Sequence, residues 1–296
     1  MAKRALVLGG GGPVGIAWEA GLLAGLAEGG VDSGAADLIV GTSAGAFVGA
    51  LIAMGKTASD IAHAIIAEEA RPKRAAASGQ ARASDPMVLV RKMQEAALGE
   101  RNPEAVRKEI GAFALSADTM DEASFIASFG RSLSGLADDF WPDRQFACTA
   151  TDALTGAFVV WDRTAKVGLA RAVASSCSVP GIFPPITIKG RRYIDGGMHS
   201  GWIAGLAKGH DFVVVVLMRT TDDDPALAER MGRRREAEIA TLREAGSHVE
   251  LIVPDEASMA ALGVNTHDAR VRPAAARAGL SQGRKTAAVL GGLWRG

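Results

Sequence analysis

Residues 37–54 read DLIVGTSAGAFVGALIAM. This pattern predicts a short buried strand, a sharp turn that holds Ser43 between Gly41 and Gly45, and then an apolar helix. A serine on such a turn is lifted out of the sheet, with the N-terminus of the helix beneath it. That is the geometry of a nucleophile, so Ser43 is our candidate. A glycine-rich connection without chemistry gives the same pattern, and the chain contains 36 glycines.

Length and composition narrow the class of protein. The 296 residues are enough for one large α/β domain or two smaller ones with a substantial core. Hydrophobic residues make up 48% of the chain and the formal net charge is zero, which leaves no basic excess for binding nucleic acid. Cys148 and Cys177 are too few for a disulfide framework, and the five histidines lack metal-ligand spacing. We therefore expect no metal and no cofactor.

The sequence also bears on location. No run of residues reaches the length of about 18 apolar residues that a membrane span needs. The amino-terminal apolar run is interrupted by glycines at Gly9–Gly12, so we interpret it as the first strand of the fold and not as a signal peptide. These features predict a cytoplasmic protein.

The chain begins with another predicted strand, followed by a glycine-rich loop and a helix. Ala5–Leu8 predicts a buried strand, residues 9–15 read GGGGPVG, and residues 16–28 predict a helix. Backbone N–H groups of this loop, at a helix N-terminus, can hold an anion. One such anion is a nucleotide phosphate, but the loop lacks the lysine motif of triphosphatases and a well-placed acidic residue for a dinucleotide. The other is an oxyanion that forms during a reaction.

The remaining chain alternates strands and helices. Residues 55–142 are alanine-rich and charged, and they predict a mostly helical insertion or lid within a single domain of residues 1–296. We expect helices at 59–70, 85–98, 103–113, 120–136, 169–176, 222–244 and 271–290, and strands at 145–151, 157–161, 187–189, 192–194, 212–217 and 249–253. The apolar, proline-rich residues 179–186 are suited to line a pocket. This alternation predicts a three-layer α/β/α fold with a mainly parallel central sheet.

A serine nucleophile needs a base that takes its proton. A histidine triad would require a histidine late in the chain, and His267 lies in a predicted loop there. His248 begins a predicted edge strand, which is a poor position for a base. His199 lies near Asp195 and stays open as a further candidate.

Four landmarks resemble those of the patatin-like phospholipase family in their order and approximate spacing. They are the loop Gly9–Gly12, the turn Gly41–Gly45, the stretch Ala174–Pro185 and the tripeptide Asp195-Gly196-Gly197. The resemblance spans residues 5 to about 217 and implies a patatin-like fold. It also implies a Ser-Asp dyad without histidine, in which Ser43 is the nucleophile and Asp195 the base. By itself, Asp195 would be interpreted as a turn residue.

The same resemblance implies an oxyanion hole formed by the backbone of Gly10, Gly11 and Gly12, and Ala44 is a further candidate donor. The chain departs from the family pattern where Pro13-Val14-Gly15 stands in place of an arginine or lysine followed by glycine. It departs again after Asp195-Gly196-Gly197, where the usual asparagine is absent.

The expected function is hydrolysis of a lipid or another hydrophobic ester through an acyl-enzyme, as in a phospholipase A-type esterase. Such a substrate would bring the protein transiently to a membrane surface. The alternative is a non-catalytic lipid-binding or regulatory module that retains the fold. Nucleotide binding is a third, less favoured reading. The oligomeric state is left open.

Overall fold

The computed structural model describes residues 2–70, 99, 101–199, 203–218 and 225–295, in which a central sheet lies between two layers of helices. The strands are β1 (Arg4–Leu8), β2 (Leu38–Gly41), β3 (Gln145–Asp152), β4 (Phe158–Trp161), β5 (Ile186–Ile188), β6 (Arg191–Asp195), β7 (Phe212–Val216) and β8 (His248–Ile252). Strands β3, β2, β1, β7 and β8 are parallel and adjacent in that order. Strands β4 and β6 pair antiparallel with β3, and β5 pairs antiparallel with β6.

Helices cover both faces of this sheet. The described helices are α1 (Gly12–Glu28), α2 (Ala44–Ala53), α3 (Ala58–Ile66), α4 (Pro103–Ser116), α5 (Glu122–Ser128), α6 (Arg131–Ser134), α7 (Leu169–Ser176), α8 (Pro225–Glu244), α9 (Glu256–Leu262) and α10 (Arg272–Arg295). Leu6 and Leu8 pack in the core shared with α1, α2 and α10, whereas Ala5 and Val7 face the core beside α8. The predicted three-layer α/β/α fold is confirmed, and β1 is apolar from Ala5 to Leu8 because both of its faces are buried there.

The pairing of β3 places β6 in line with β2. Ala150 and Thr151 pair with both β4 and β6, so those two strands lie on opposite edges of β3. Cys148 pairs with β4 and with Gly41 of β2, so β2 and β6 share one edge. Asp195 is the partner of Ala150, two residues along β3 from the partner of Gly41. The rise of a strand makes this separation about 6–7 Å.

Helix α1, which carries the first glycine loop, packs very closely against α10. A Cβ atom at Gly21 would lie 2.0 Å from the Ala276 carbonyl oxygen, and one at Gly25 would lie 2.2 Å from the Leu280 carbonyl oxygen. Glycines of α10 approach α1 just as closely, since a Cβ at Gly279 would lie 2.2 Å from the Trp18 carbonyl oxygen. Only glycine fits at such backbone contacts. The C-terminal helix is therefore fixed against the helix that begins at the candidate anion site.

Two sequence predictions differ from the structure. The expected helix over 120–136 is instead the pair α5 and α6, and Gly130 separates them with a φ of 73° that favours glycine. Helix α9 was not predicted, although Asp255 caps it through the Ser258 N–H. The helix expected at 85–98 lies outside the described residues. Within the described part of the chain, no helix is both long and apolar enough to span a bilayer.

A carboxyl group is buried inside α1. Glu19 is fully buried, and both of its side-chain oxygens are without a hydrogen-bond partner among the described residues. Burial raises the pKa of Glu19 well above its usual range. An unpaired buried carboxyl costs stability when it ionises.

Replacing Glu19 with methionine, which has similar length and no charge, should stabilise the fold. The raised pKa means that the folded chain holds the proton more tightly than the unfolded chain, whose carboxyl titrates at about 4.3. The wild-type fold therefore loses stability as the pH rises above that value. The advantage of Glu19→Met in urea unfolding should grow as the pH rises above about 4.

The matched control is Glu28→Gln on the same helix. Glu28 pairs with Arg284 at the surface, and hydrogen bonding to Arg284 lowers the pKa of Glu28. This variant should lose stability relative to wild type as the pH rises, the opposite trend. A pH-independent effect of Glu19→Met would contradict the prediction.

Candidate active site

Ser43 occupies a strained turn between β2 and α2. Its φ of 54° and ψ of −116° lie outside the usual regions for a residue with a side chain. The flanking glycines allow this turn, because a Cβ at Gly41 would lie 2.4 Å from the Gly45 carbonyl oxygen. A Cβ at Gly45 would lie 2.3 Å from the Leu8 carbonyl oxygen. The turn thus has the shape that the sequence pattern predicts.

The end of α7 holds the backbone of this turn on both sides. The Ser43 N–H donates to the Ser176 hydroxyl at 2.9 Å. The Cys177 thiol donates to the Ser43 carbonyl oxygen at 3.2 Å. In the next residue, the Ser178 carbonyl oxygen accepts the Asp195 N–H at 3.0 Å. Ser176, Cys177 and Ser178 therefore fix the backbones of Ser43 and Asp195 relative to each other.

Asp195 ends β6 and lies next to Ser43. Its side chain is only 3% exposed and accepts the Gly197 N–H at 2.8 Å. The Ser43 hydroxyl lies close enough to this carboxyl to lower its pKa. Burial raises the pKa of Asp195 to about 6, and the Gly197 N–H and the Ser43 hydroxyl oppose that rise only in part. The carboxylate is therefore a stronger base than an exposed aspartate.

The first glycine loop lies on the other side of Ser43. A Cβ at Gly10 would lie 3.5 Å from Ser43 Cβ. Within the described residues, the N–H groups of Gly10, Gly11, Gly12 and Ala44 donate no hydrogen bond. Gly12 has a φ of 59°, and a Cβ there would lie 2.9 Å from the Thr266 carbonyl oxygen. The structure thus brings together the glycine loop, the serine and the aspartate that the sequence analysis selected.

A cavity of about 590 Å³ opens onto Ser43. One wall is aromatic, and the ring centroids of Phe125 and Phe183 are 4.4 Å apart. Phe129 packs against Phe125 and Phe47, with centroid distances of 5.1 and 5.7 Å. Val179 and Phe183 come from the proline-rich loop, which therefore lines a pocket as expected. An apolar wall of this kind suits a hydrocarbon chain.

The cavity is also lined by three polar residues, Glu68, His267 and Arg272, and the His267 ring centroid lies 6.3 Å from that of Phe183. His267 Nε2 is buried and without a hydrogen-bond partner among the described residues. Burial lowers the pKa of His267, so its ring is neutral near pH 7. His199 lies elsewhere, against the Phe158 ring at 4.9 Å, and His248 begins edge strand β8. Only His267 among these candidate bases lines the cavity.

Three residues of the cavity were not predicted from the sequence: Phe125, Phe129 and Arg272. The two phenylalanines are four residues apart in an insertion that is otherwise rich in alanine and charge, in a chain with only 5% aromatic residues. The short spacing of these two phenylalanines was the sequence feature that could have predicted their place in the cavity. Nothing near Arg272 in the sequence distinguishes it from the other arginines, because its relation to Ser43 depends on how α10 packs.

The chain belongs to the patatin-like phospholipase family, since the model of that family matches residues 6–207. This confirms the resemblance seen in the four sequence landmarks. Membership supports a lipid acyl hydrolase function and an ester hydrolase activity. No curated protein sequence matches the chain significantly.

Solved structures give distant likenesses. VipD from Legionella pneumophila has a TM-score of 0.49 and 14% identity, over 97% of this chain and 67% of VipD. The type III effector protein ExoU has a TM-score of 0.41 and 18% identity, and the match covers 97% of this chain. The chain spans about half of ExoU, 53% of its length. In the complex of ExoU with SpcU from Pseudomonas aeruginosa the TM-score is 0.33, with 17% identity over 98% of this chain and 59% of that one.

Removing the Ser176 hydroxyl should destabilise the protein. Ser176→Ala leaves the buried Ser43 N–H without an acceptor, which costs about 1–3 kcal/mol. Urea unfolding should detect this loss. Ser116→Ala is the control, because the Ser116 hydroxyl donates to the Phe113 carbonyl at an exposed position. Its effect should stay within about 0.5 kcal/mol, and an equal loss in both variants would contradict the role of Ser176.

Proposed function

We propose that the protein is a serine acyl hydrolase that cleaves lipid esters through an acyl-enzyme on Ser43, with Asp195 as the general base. The observation that carries this proposal is the buried Asp195 carboxyl beside the Ser43 side chain. Family membership supports the lipid ester as substrate. The aromatic wall of the cavity offers a place for the acyl chain.

In the first step, the Ser43 hydroxyl attacks the ester carbonyl carbon and its proton passes to Asp195. A serine hydroxyl becomes a useful nucleophile only when a base accepts this proton. The pKa of about 6 favours this transfer over that of an ordinary aspartate, while the carboxylate remains mostly ionised at neutral pH. The strained backbone at Ser43 holds the hydroxyl toward the cavity.

The carbonyl oxygen becomes an oxyanion when the tetrahedral intermediate forms. The N–H groups of Gly10, Gly11 and Gly12 are the proposed donors to it, with Ala44 at the start of α2 as a further donor. Their lack of partners among the described residues leaves them free for this purpose. Backbone donors that are already in place stabilise developing charge without reorganisation.

The intermediate then collapses, the bond to the alcohol breaks, and Asp195 returns its proton to the leaving oxygen. Water attacks the acyl-enzyme and gives a proton to Asp195. The resulting tetrahedral intermediate collapses, the bond to Ser43 Oγ breaks, and Asp195 returns its proton to that oxygen as the fatty acid is released. A single carboxyl group can therefore serve both half-reactions. His267 is not required as a base in this scheme.

The dyad can be tested by labelling with a fluorophosphonate, which reacts with activated serines. Wild type should be labelled, and Ser43→Ala should abolish both labelling and ester hydrolysis. Asp195→Asn keeps the side-chain size but removes the base, so kcat should fall by about 10²–10⁴-fold. Ser128→Ala is the control, because the Ser128 hydroxyl lines the same cavity but donates to the Phe125 carbonyl.

Labelling that persists in Ser43→Ala would exclude this serine as the nucleophile. Near-normal turnover by Asp195→Asn would return His267 to consideration as the base. A wild-type protein that binds lipid but is neither labelled nor active would instead favour the non-catalytic module.

The pH dependence gives a separate test. Asp195 must be ionised to accept the proton, so kcat/KM should rise with pH and level off above the pKa of about 6. If His267 were the base, a rising limb would also be seen, because its pKa is lowered by burial. The variant His267→Gln distinguishes the two candidate bases. If Asp195 is the base, the rise of kcat/KM with pH should persist near the same pH in this variant. Loss of the limb in this variant would contradict the assignment.

A further inference from the structure

Two residues that line the catalytic cavity each carry a buried side-chain nitrogen without a hydrogen-bond partner among the described residues. The Nε atom of Arg272 and the Nε2 atom of His267 are both buried, and neither has a hydrogen-bond partner among the described residues. Both residues line the cavity that contains Ser43. Arginine can only donate hydrogen bonds, so the buried Arg272 Nε–H needs an acceptor oxygen that the described residues do not supply.

The tautomer of the His267 ring depends on its contact with Thr266. Its Nδ1 atom lies 3.4 Å from the Thr266 hydroxyl, at the long end of a hydrogen bond. A neutral ring that accepts this hydrogen bond at Nδ1 carries its proton on Nε2. The ring also lies close to the glycine loop, since a Cβ at Gly12 would be 3.5 Å from His267 Nε2.

The segment that supplies both donors is braced against the glycine loop. The Val14 N–H donates to the Thr266 carbonyl oxygen at 3.0 Å. Arg272 begins α10, the helix that packs on α1 through glycine contacts. Both donors lie outside residues 6–207, where the family match ends. They are therefore additions of this chain's C-terminal part to the cavity.

The carboxylate of Glu68 provides a negative charge beside Arg272. Glu68 also lines the cavity, and one of its oxygens lies 3.3 Å from Arg272 Nη1. The side chains of Arg272 and Glu68 are 23% and 29% exposed, so solvent screens this pair only in part. The wall thus presents a cationic donor group beside an anionic acceptor. A ligand that carries only negative charge would meet Glu68 unfavourably.

We infer that Arg272, His267 and Glu68 form a subsite for a zwitterionic head group. Arg272 and His267 bind an oxygen of a phosphodiester, and Glu68 faces the ammonium group attached to it. This inference rests on the proposed function, because the head group is that of the ester cleaved at Ser43. Opposite charges in the wall match opposite charges in such a head group.

The test compares three soluble single-chain substrates with the same acyl chain: monoacyl glycerophosphocholine, monoacyl glycerophosphoglycerol and monoacylglycerol. Wild type should prefer the choline substrate by kcat/KM. Arg272→Gln should reduce kcat/KM for both phosphate-containing substrates by about 10–100-fold more than for monoacylglycerol, because a hydrogen bond to a charged group is lost. Glu68→Gln should reduce the preference for choline over glycerol.

A neighbouring ion pair provides the matched control. Arg277 and Glu69 form a pair at the surface and are absent from the cavity wall. Arg277→Gln and Glu69→Gln should leave the ratio among the three substrates as in wild type. If Arg277→Gln changes the ratio as Arg272→Gln does, or if Arg272→Gln lowers all three rates equally, the subsite is wrong.

Binding separates this inference from the proposed catalysis. Isothermal titration of Ser43→Ala with the choline substrate should show binding that Arg272→Gln weakens in the same background. A failure of the proposed function would abolish turnover in wild type but leave this binding intact. Two results would overturn the subsite but not the proposed catalysis. One is an active wild type with no preference among the three substrates, and the other is binding in Ser43→Ala that Arg272→Gln does not weaken.

Discussion

The alignment of β6 with β2 along one edge of β3 is the constraint on which the site depends. Strand β2 ends at Gly41, and β6 fills the same edge beyond it, so Asp195 arrives beside Ser43 from the opposite direction. A slip of one residue in β6 would turn the Asp195 side chain to the other face of the sheet. On its other edge β6 pairs with β5, and the short turn of this hairpin fixes the register of the two strands.

Hydrogen bonds hold the strained turn at Ser43 in place. The unusual φ of Ser43 is maintained by contacts with Ser176 and Cys177, and the Ser178 backbone holds Asp195. Placing a carboxyl in this buried position raises its pKa, which makes the fold less stable when Asp195 ionises. The buried carboxyl and the strained serine backbone lower the stability of the fold, and they are retained because they give the site its local geometry.

Much of the fold could be predicted because buried strands and helix-forming segments differ strongly in their apolar pattern. β1, β7 and the hairpin of β3 and β4 follow the predicted segments closely. The single helix expected over 120–136 was wrong, since Gly130 turns the chain into a left-handed conformation there. Arg272 could not be selected, because its position in the cavity depends on glycine contacts between α1 and α10 that are distant in sequence.

The sequence by itself determined the strained turn at Ser43, because glycines at positions 41 and 45 are required by contacts within the turn and with the end of β1. It also determined the class of fold, through alternating apolar strands and helices, and the family, through four spaced landmarks. Only the tertiary structure decided which groups surround the serine. Asp195 comes from β6, and His267 and Arg272 come from one segment far along the chain. Sheet register and helix packing, which local sequence does not encode, place these residues at one cavity or beside it.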